Sequence, residues 1–224
     1  VFGYVDDHVR FALLSKGCLE WLLQVNSSGS GWWPDIIHCN DWHSGYLIEL
    51  ARKDGRYRKI FAKTPIILTV HNFAHQGNFD FRYAHKIDRD DGTSKLAPLV
   101  SPKLQKQNAL LRGILYADAI NTVSPTHAIE VLTLEYAEGL EITLQNVRKK
   151  LTGILNGIDT DSFNPTKDPL IKKNFTQKTF VASRRENKKD LQQIFSLPQD
   201  VGRPLLAVTG RLSPQKGWDL LLES

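Results

Sequence analysis

The strongest constraint on the fold is the alternation of short apolar runs with helical patterns. Residues 35–39 (DIIHC) and 65–70 (PIILTV) are apolar on both faces, which is typical of parallel strands covered by helices. A helical pattern at 42–53 separates them, and further apolar runs at 117–123 and 150–155 predict two more strands. This order predicts an α/β fold of βαβ units with a doubly wound parallel sheet.

The rest of the chain is predicted more coarsely. Helices are expected at residues 6–24, 104–115, 125–137 and 184–195, with a new strand starting at residue 204. Asp41 is expected to cap the helix that begins at residue 42. Residues 71–102 are polar, irregular and rich in aromatic residues. This segment is longer than a simple connecting loop, so we expect it to have a function.

Composition indicates a globular chain that binds neither nucleic acid nor a membrane. The 224 residues are 41% hydrophobic and 24% charged, with a net charge of +5. This excess suits a phosphorylated ligand, and the basic runs lack interleaved aromatics, so we predict neither a nucleic-acid nor a membrane partner. Cys18 and Cys39 lie in apolar stretches and are expected to be buried thiols of a reducing compartment rather than a disulfide. No segment resembles a secretory leader or a transmembrane span, so the expected compartment is the cytoplasm or the plastid stroma.

Two polar clusters follow neighbouring predicted strands. Asp41 lies in the segment HCNDWH after the first strand, and His71, Gln76 and Gly77 lie in HNFAHQG after the second. Carboxyl ends of parallel strands face one crevice, so the two clusters are expected to converge there. A carboxylate with imidazole and amide groups suits hydroxyl-rich ligands.

A metal site is the alternative interpretation of these clusters. His38, His43, His71 and His75 are the candidate ligands, but their spacing matches no structural zinc pattern. We therefore expect no metal and no other cofactor. The alternative for Asp41 alone is a helix cap.

A second polar region is predicted near the end of the chain. Arg211 and Lys216 lie in a loop that follows an apolar run and precedes a helix start, a place that suits a diphosphate. Asn156 closes the strand predicted at 150–155, at a compositional break where an interdomain cleft is expected.

Several enzyme classes are excluded by missing motifs. The chain has no G-x-S-x-G elbow, no dinucleotide-binding fingerprint and no P-loop. A glycosidase needs two carboxylates across a sugar, and Asp41 has no convincing second carboxylate.

Six segments together resemble the starch and glycogen synthase family of retaining glycosyltransferases. In chain order they are YVDDHVRFALLSKGCLEWL, PDIIHCNDWHSGYL, ILTVHNFAHQGNF, GILYADAINTVSPTHAIEV, LTGILNGIDTDSFNP and LAVTGRLSPQKGWDLLLE. The resemblance implies a GT-B fold, in which two Rossmann-like domains face a cleft. It also implies transfer of glucose from ADP-glucose to the nonreducing end of an α-1,4-glucan, with retention of configuration and without a metal.

The resemblance also implies a role for each candidate residue. Asp41 and His71 would line the glucosyl pocket, Asn156 would bind substrate from the hinge side, and Gln76 and Gly77 would bind substrate beside His71. Arg211 and Lys216 would hold the donor phosphates. The two sets are expected to face each other across one gap.

By the same resemblance, residues 1–155 belong to the first domain, 156–202 to a hinge segment and 203–224 to the start of the nucleotide-sugar domain. The family's Lys-Thr-Gly-Gly loop and paired-glutamate motif would lie outside the 224 residues. We therefore expect the 224 residues to be an excerpt of a longer protein, which alone is inactive or nearly so. The alternatives are a UDP-glucose-dependent enzyme of the same fold and a noncatalytic glucan-binding protein.

Overall fold

The computed structural model describes residues 7–29, 31–80, 106–212, 216–218 and 220. The chain divides into two compact units, Val1–Asn156 and Gly157–Ser224, and each is described by itself. Predictions that fall on residues 81–105, 213–215 and 221–224 lie outside the described residues.

A parallel sheet forms the centre of the first unit. The strands described there are β1 (Ile37–Asn40), β2 (Ile66–Val70), β3 (Asn78–Asp80), β4 (Lys106–Asn108), β5 (Ala119–Thr122) and β6 (Leu151–Gly153). Strands β1, β2, β5 and β6 pair in parallel in that order, while β3 and β4 form a separate antiparallel pair. The α/β fold class is therefore confirmed.

Helices connect and cover these strands. The first unit contains α1 (Asp7–Ser27), α2 (Gly45–Lys53), α3 (Ala109–Tyr116), α4 (Pro125–Glu130) and α5 (Glu141–Asn146), and the second contains α6 (Phe180–Ile194). No helix in the described part of the chain is long and apolar enough to span a bilayer. Ser124 caps α4 by accepting a hydrogen bond from the N–H of His127, and Pro125 occupies the first turn as predicted.

Helices α2 and α3 pack unusually closely in the core. A methyl group built on Gly45 would lie 1.9 Å from the carbonyl oxygen of Ala109, and one on Gly113 would lie 3.2 Å from Cα of Gly45. Ile48, Leu68 and other fully buried apolar side chains fill the space between these helices and the sheet. Only glycine permits this separation, so the two helices fix the sheet edge that follows β1 and β2.

Ion pairs fasten α2 at both ends of this packing. Glu49 accepts from Arg112 Nη1 at 2.5 Å through both carboxylate oxygens, with both side chains largely buried. Arg52 donates to Asp118 Oδ2 at 2.6 Å, and the same oxygen accepts from the backbone N–H of Ile66 at 2.7 Å. These contacts connect α2 to α3 and to the starts of β2 and β5.

The second unit is held mainly by turns around α6. Lys188 Nζ donates to the carbonyl oxygen of Val201 at 2.9 Å, and Gln192 Nε2 donates to that of Asp200 at 2.9 Å. Asp159 accepts from the hydroxyl of Ser162 and from the backbone N–H groups of Ser162 and Asp161, and these hydrogen bonds lower the pKa of its carboxyl group, that of the Ser162 hydroxyl most.

Several predicted elements are confirmed with shifted ends. Strands β1, β2, β5 and β6 and helices α1, α2 and α6 lie where the sequence placed them, although α6 begins four residues earlier, at Phe180. Cys18 and Cys39 are free thiols, as predicted, but only Cys39 is buried, and Cys18 is half-buried. Burial raises the pKa of Cys39 to about 11.

Other predictions are wrong. The helix predicted from residue 104 begins only at Ala109, because residues 106–108 pair with β3. The helix predicted to residue 137 ends at Glu130, and the following turns lead into α5, which was not predicted. Residues 204–209 are not a strand, since the described part of the second unit offers them no strand to pair with.

Candidate active site

Asp41 directly follows β1 and has a strained backbone. Its φ of 55° and ψ of −171° lie near a region that only glycine adopts readily, at a cost of about 1–3 kcal/mol for other residues. Its N–H donates to the carbonyl oxygen of Thr69 at 2.8 Å, which extends the pairing of β1 with β2 by one residue. The sheet therefore holds Asp41 in a conformation that it would not choose alone.

The carboxylate of Asp41 does not cap a helix. The turn that follows, Trp42–Ser44, receives no side-chain hydrogen bond from Asp41, so the predicted cap is wrong. Instead, Asp41 Oδ1 accepts from the backbone N–H of His71 at 2.8 Å. The strained φ turns the side chain towards the neighbouring strand end, and this contact joins the two predicted clusters.

The imidazole of His71 is oriented by Asn40, a residue that the sequence analysis missed. His71 Nε2 lies 3.1 Å from Asn40 Oδ1, and an amide oxygen only accepts, so Nε2 carries the proton in this contact. In the neutral imidazole Nδ1 is then an acceptor on an exposed side chain, suited to a ligand hydroxyl. A polar residue at the end of a predicted strand, directly before Asp41, was the available signal for Asn40.

A chain of polar side chains supports this edge of the sheet. Thr69 Oγ1 donates to Asn121 Oδ1 at 2.7 Å and lies 2.6 Å from His38 Nε2. The three residues come from β1, β2 and β5, so the hydrogen bonds run across three strands. These hydrogen bonds hold the strand ends that carry Asp41 and His71 in place.

An aromatic cluster packs against the same edge. The ring of His43 stacks on Trp42 at a centroid distance of 4.2 Å, and Phe11 contacts both rings edge-on. Burial lowers the pKa of His43, while Asp41 and Asp7 oppose that shift. A methyl group on Gly77, which has a φ of 61°, would lie 2.2 Å from Cε3 of Trp42.

Gln76 connects three segments of the first unit. Its Nε2 donates to the carbonyl oxygen of Glu138 at 2.8 Å, and its Oε1 accepts from Asn108 Nδ2 at 2.5 Å. The side chain is buried, and Asn108 is also the residue that caps α3. Gln76 and Gly77 thus shape the loop that carries His71, and their predicted contact with substrate stays a prediction.

The four histidines considered as metal ligands have different surroundings. His38 contacts Thr69, His43 stacks on Trp42, and His71 contacts Asn40. His75 is exposed, and its backbone N–H donates to the carbonyl oxygen of Asn72 at 3.3 Å. Within residues 7–29, 31–80 and the other described ranges, no group of three or more His, Cys, Asp or Glu side chains has an arrangement suited to a metal ion.

Asn156 is the last residue of the first unit and is exposed. It lies three residues beyond β6, whose pairing with β5 continues through the N–H of Ile154, which donates to the carbonyl oxygen of Thr122 at 2.8 Å. Its predicted role in substrate binding stays a prediction.

Arg211 and Lys216 belong to the second unit, and both are exposed. The carbonyl oxygen of Arg211 accepts from Trp218 Nε1 at 3.0 Å, which joins the two sides of the loop. A methyl group on Gly210, whose φ is 145°, would lie 3.7 Å from Lys216 Cε, so the lysine stem lies along this glycine. The predicted contact of both cations with phosphates stays a prediction.

The fold and the edge cluster define a class: a parallel α/β protein with polar groups gathered at the carboxyl ends of adjacent strands, where such sheets bind their ligands. Residues 1–146 match the family model described as the starch synthase catalytic domain. The chain belongs to this glycosyltransferase family.

Similarity to individual members extends over nearly the whole chain. The chain is 38% identical to a glycogen synthase of Rhodopirellula baltica, and the match covers 98% of this chain and 42% of that protein. Identity to a glycogen synthase of Clostridium kluyveri is 35%, with 99% of this chain and 45% of the relative covered. The chain thus spans less than half the length of these relatives.

A solved structure agrees with these matches. The catalytic domain of Starch Synthase IV from Arabidopsis thaliana, bound to ADP and acarbose, is 35% identical with a TM-score of 0.75. The similarity covers 99% of this chain and 44% of that one.

Proposed function

We propose that the whole protein transfers glucose from ADP-glucose to the nonreducing end of an α-1,4-glucan with retention of configuration. The observation that carries the proposal is the cluster of Asp41, His71 and Asn40 on the shared edge of β1 and β2. Family membership and relatives named glycogen synthase support it. The similar structure that was solved with ADP and acarbose supports the two substrate classes.

The proposed reaction exchanges one bond at the anomeric carbon. The bond from that carbon to the diphosphate oxygen breaks, and a bond to a hydroxyl oxygen of the glucan forms on the same face of the sugar. ADP departs with the bonding electron pair, and the hydroxyl proton leaves towards the phosphate oxygens. In the transition state negative charge therefore grows on the diphosphate and positive charge grows on the sugar.

The residues of the first unit would position the sugar. Nδ1 of the exposed His71 side chain would accept from a sugar hydroxyl, while Asn40 and Asp41 hold the imidazole and its backbone in place. Asp41 has a second carboxylate oxygen for a hydroxyl or for positive charge on the sugar. Asn156, Gln76 and Gly77 add substrate contacts in this proposal.

Arg211 and Lys216 would stabilise the departing diphosphate. Cations beside the diphosphate stabilise the negative charge of the leaving group more in the transition state than in the ground state, which makes a metal ion unnecessary. We also propose that the protein acts in the cytoplasm or the plastid stroma.

The proposal is tested by measuring transfer with the whole protein. Glycogen is incubated with ADP-glucose or UDP-glucose, with and without EDTA, and new α-1,4 linkages are identified by NMR. We expect transfer from ADP-glucose, insensitive to EDTA, and at least tenfold lower kcat/KM with UDP-glucose.

The rival functions give different results in the same assay. Preference for UDP-glucose would favour the same-fold rival, and glycogen binding without transfer from either donor would favour a noncatalytic protein. Inhibition by EDTA that added magnesium reverses would contradict the metal-free mechanism.

A further inference from the structure

An open groove lies along the C-terminal half of α1. It has a volume of about 720 Å³, and its wall includes Glu20, Trp21, Gln24, Asn26 and Arg56. None of these is among the predicted site residues. Helix α1 leads into β1 at its amino end, whereas Asp41 follows the carboxyl end of that strand. The groove therefore lies at the opposite end of β1 from the candidate active site.

The apolar part of this surface consists of Leu23 and Ile60 in the groove wall and of two tryptophans, Trp21 in the wall and Trp32 beside it. Trp21 is 57% exposed and Trp32 is 51% exposed, although large aromatic side chains normally bury much more of their area. Their ring centroids are 6.1 Å apart, and the ring planes are inclined by 56°. The pair thus offers two adjacent aromatic faces with different orientations.

The polar part of the groove is already ordered. Tyr57 Oη donates to Glu20 Oε1 at 2.5 Å, and Arg56 Nη2 donates to the other oxygen of the same carboxylate. Tyr57 is fully buried, so it anchors Glu20 to the core. Because Arg56 neutralises Glu20, the groove offers fixed hydrogen-bonding groups without a net charge from this pair.

These properties match a neutral saccharide. A pyranose carries C–H groups on its ring faces, which pack on aromatic rings, and hydroxyls around its edge, which bond to carboxylate, amide and guanidinium groups. Gln24 and Asn26 add amide donors and acceptors beside Trp21. An anionic ligand would find Arg56 already paired with Glu20, and a purely apolar ligand would leave the amides of Gln24 and Asn26 without hydrogen bonds.

We propose that the groove beside Trp21 and Trp32 is a second saccharide site, which binds the α-1,4-glucan chain away from the reacting end. This proposal rests on the proposed function for the identity of the saccharide. A polymer held at a second point stays near the active site after each dissociation, so its effective concentration there rises. A short oligosaccharide cannot reach both sites and gains nothing.

The first test measures glycogen affinity of the whole protein by native gel electrophoresis with glycogen in the gel. We expect Trp21→Ala and Trp32→Ala each to weaken binding about tenfold, the size expected when one stacking partner is lost. Leu14→Ala is the matched control, because Leu14 lies on the same helix, is also 57% exposed and is not part of the groove wall. Trp21→Phe should recover most of the affinity.

Kinetics separate this site from the active site. We expect KM for glycogen to rise about tenfold in the two alanine variants, while kcat, KM for ADP-glucose and the rate with maltotriose stay unchanged. In the wild-type protein, which needs no substitution, maltoheptaose should slow hydrogen exchange of amides in residues 20–36.

The outcomes distinguish the two proposals. A wild-type protein that transfers glucose, but whose tryptophan variants bind glycogen as tightly as Leu14→Ala, would overturn the second site alone. Glycogen binding that depends on Trp21 and Trp32 in a protein without transferase activity would support the second site and contradict the proposed function. Equal loss in Leu14→Ala, or no protection of residues 20–36, would also overturn the site.

Discussion

In the first unit the candidate side chains are fixed by hydrogen bonds between strand ends, whereas in the second they lie on an exposed loop. His71 and Asp41 are joined to each other and to a sheet whose core is fully buried. Arg211 and Lys216 are exposed, and the side chains buried in the described part of their unit are the polar ones of Ser183 and Gln192.

This difference separates two ways of preparing a site. A group whose position is set by a packed sheet needs little reorganisation when a ligand arrives. A cation on an exposed loop loses conformational freedom on binding, and part of its interaction energy offsets that loss. We therefore expect the first unit to set geometry and the second to supply charge.

The largest expected difference concerns hydrogen exchange in the 224-residue chain. Amides of β2, where Ile66, Leu68 and Val70 are fully buried, should exchange at least about 10³-fold more slowly than those of α6. The apolar side chains of α6 include Val181 and Ile194, which are 57% and 65% exposed, so little packing opposes local opening. Mass spectrometry of the labelled peptides measures both, and equal protection would contradict the comparison.

The next prediction takes one residue from each unit of the whole protein. His71→Ala and Lys216→Ala should each lower kcat on the order of 10²-fold, the loss expected for one contact that acts in the transition state. Affinity for ADP should change little in His71→Ala, and affinity for glucan should change little in Lys216→Ala.

Calorimetry and steady-state kinetics separate these roles. Loss of ADP binding in His71→Ala would show that His71 contacts the nucleotide rather than the sugar. An unchanged kcat in Lys216→Ala would remove Lys216 from the mechanism.

The sequence predicts the parallel strands well because their signal is local. The run around β2 is buried on both faces, as predicted, whereas in β1 Cys39 is buried and His38 and Asn40 are exposed, so two-face burial is wrong for β1. Short runs rich in isoleucine nevertheless mark both segments as strands. The antiparallel pair β3 and β4 gives no such signal, since each strand has three residues and its partner lies more than 25 residues away. Periodicity needs a longer run to be detected.

The candidate site was predicted as a set of residues but not as a geometry. Strand-end positions brought Asp41 and His71 together, as expected from a parallel sheet. The role of Asp41 was misjudged, because an aspartate before a helix ordinarily caps it and only the pairing of β1 with β2 imposes the strained φ. Such a tertiary constraint leaves no local pattern.

A smaller effect is expected from adding a methyl group in each unit. Gly45→Ala should lower the free energy of unfolding by at least about 2 kcal/mol, because the methyl group would overlap the Ala109 carbonyl and separate α2 from α3. Gly157→Ala is the control in the second unit, where nothing lies within 4 Å, and it should change stability by less than about 0.5 kcal/mol. Urea denaturation measures both, and similar values would contradict the tight helix crossing.

The smallest expected effect compares two substitutions of Asp41. Asp41→Ala loses the hydrogen bond to the N–H of His71 and keeps the strained φ of 55°, whereas Asp41→Gly loses the same bond and releases the strain. The free energy of unfolding of Asp41→Gly should therefore exceed that of Asp41→Ala by about 1 kcal/mol. This is the reverse of the order of the two residues in a helix.

Urea denaturation of the two variants, with kcat of both measured in the whole protein, completes this test. Both should be equally poor in turnover, because each lacks the carboxylate that holds His71. An alanine variant as stable as the glycine variant would show that the backbone at residue 41 relaxes once the carboxylate is gone. The His71–Asp41 contact would then cause the strain, rather than the pairing of β1 with β2.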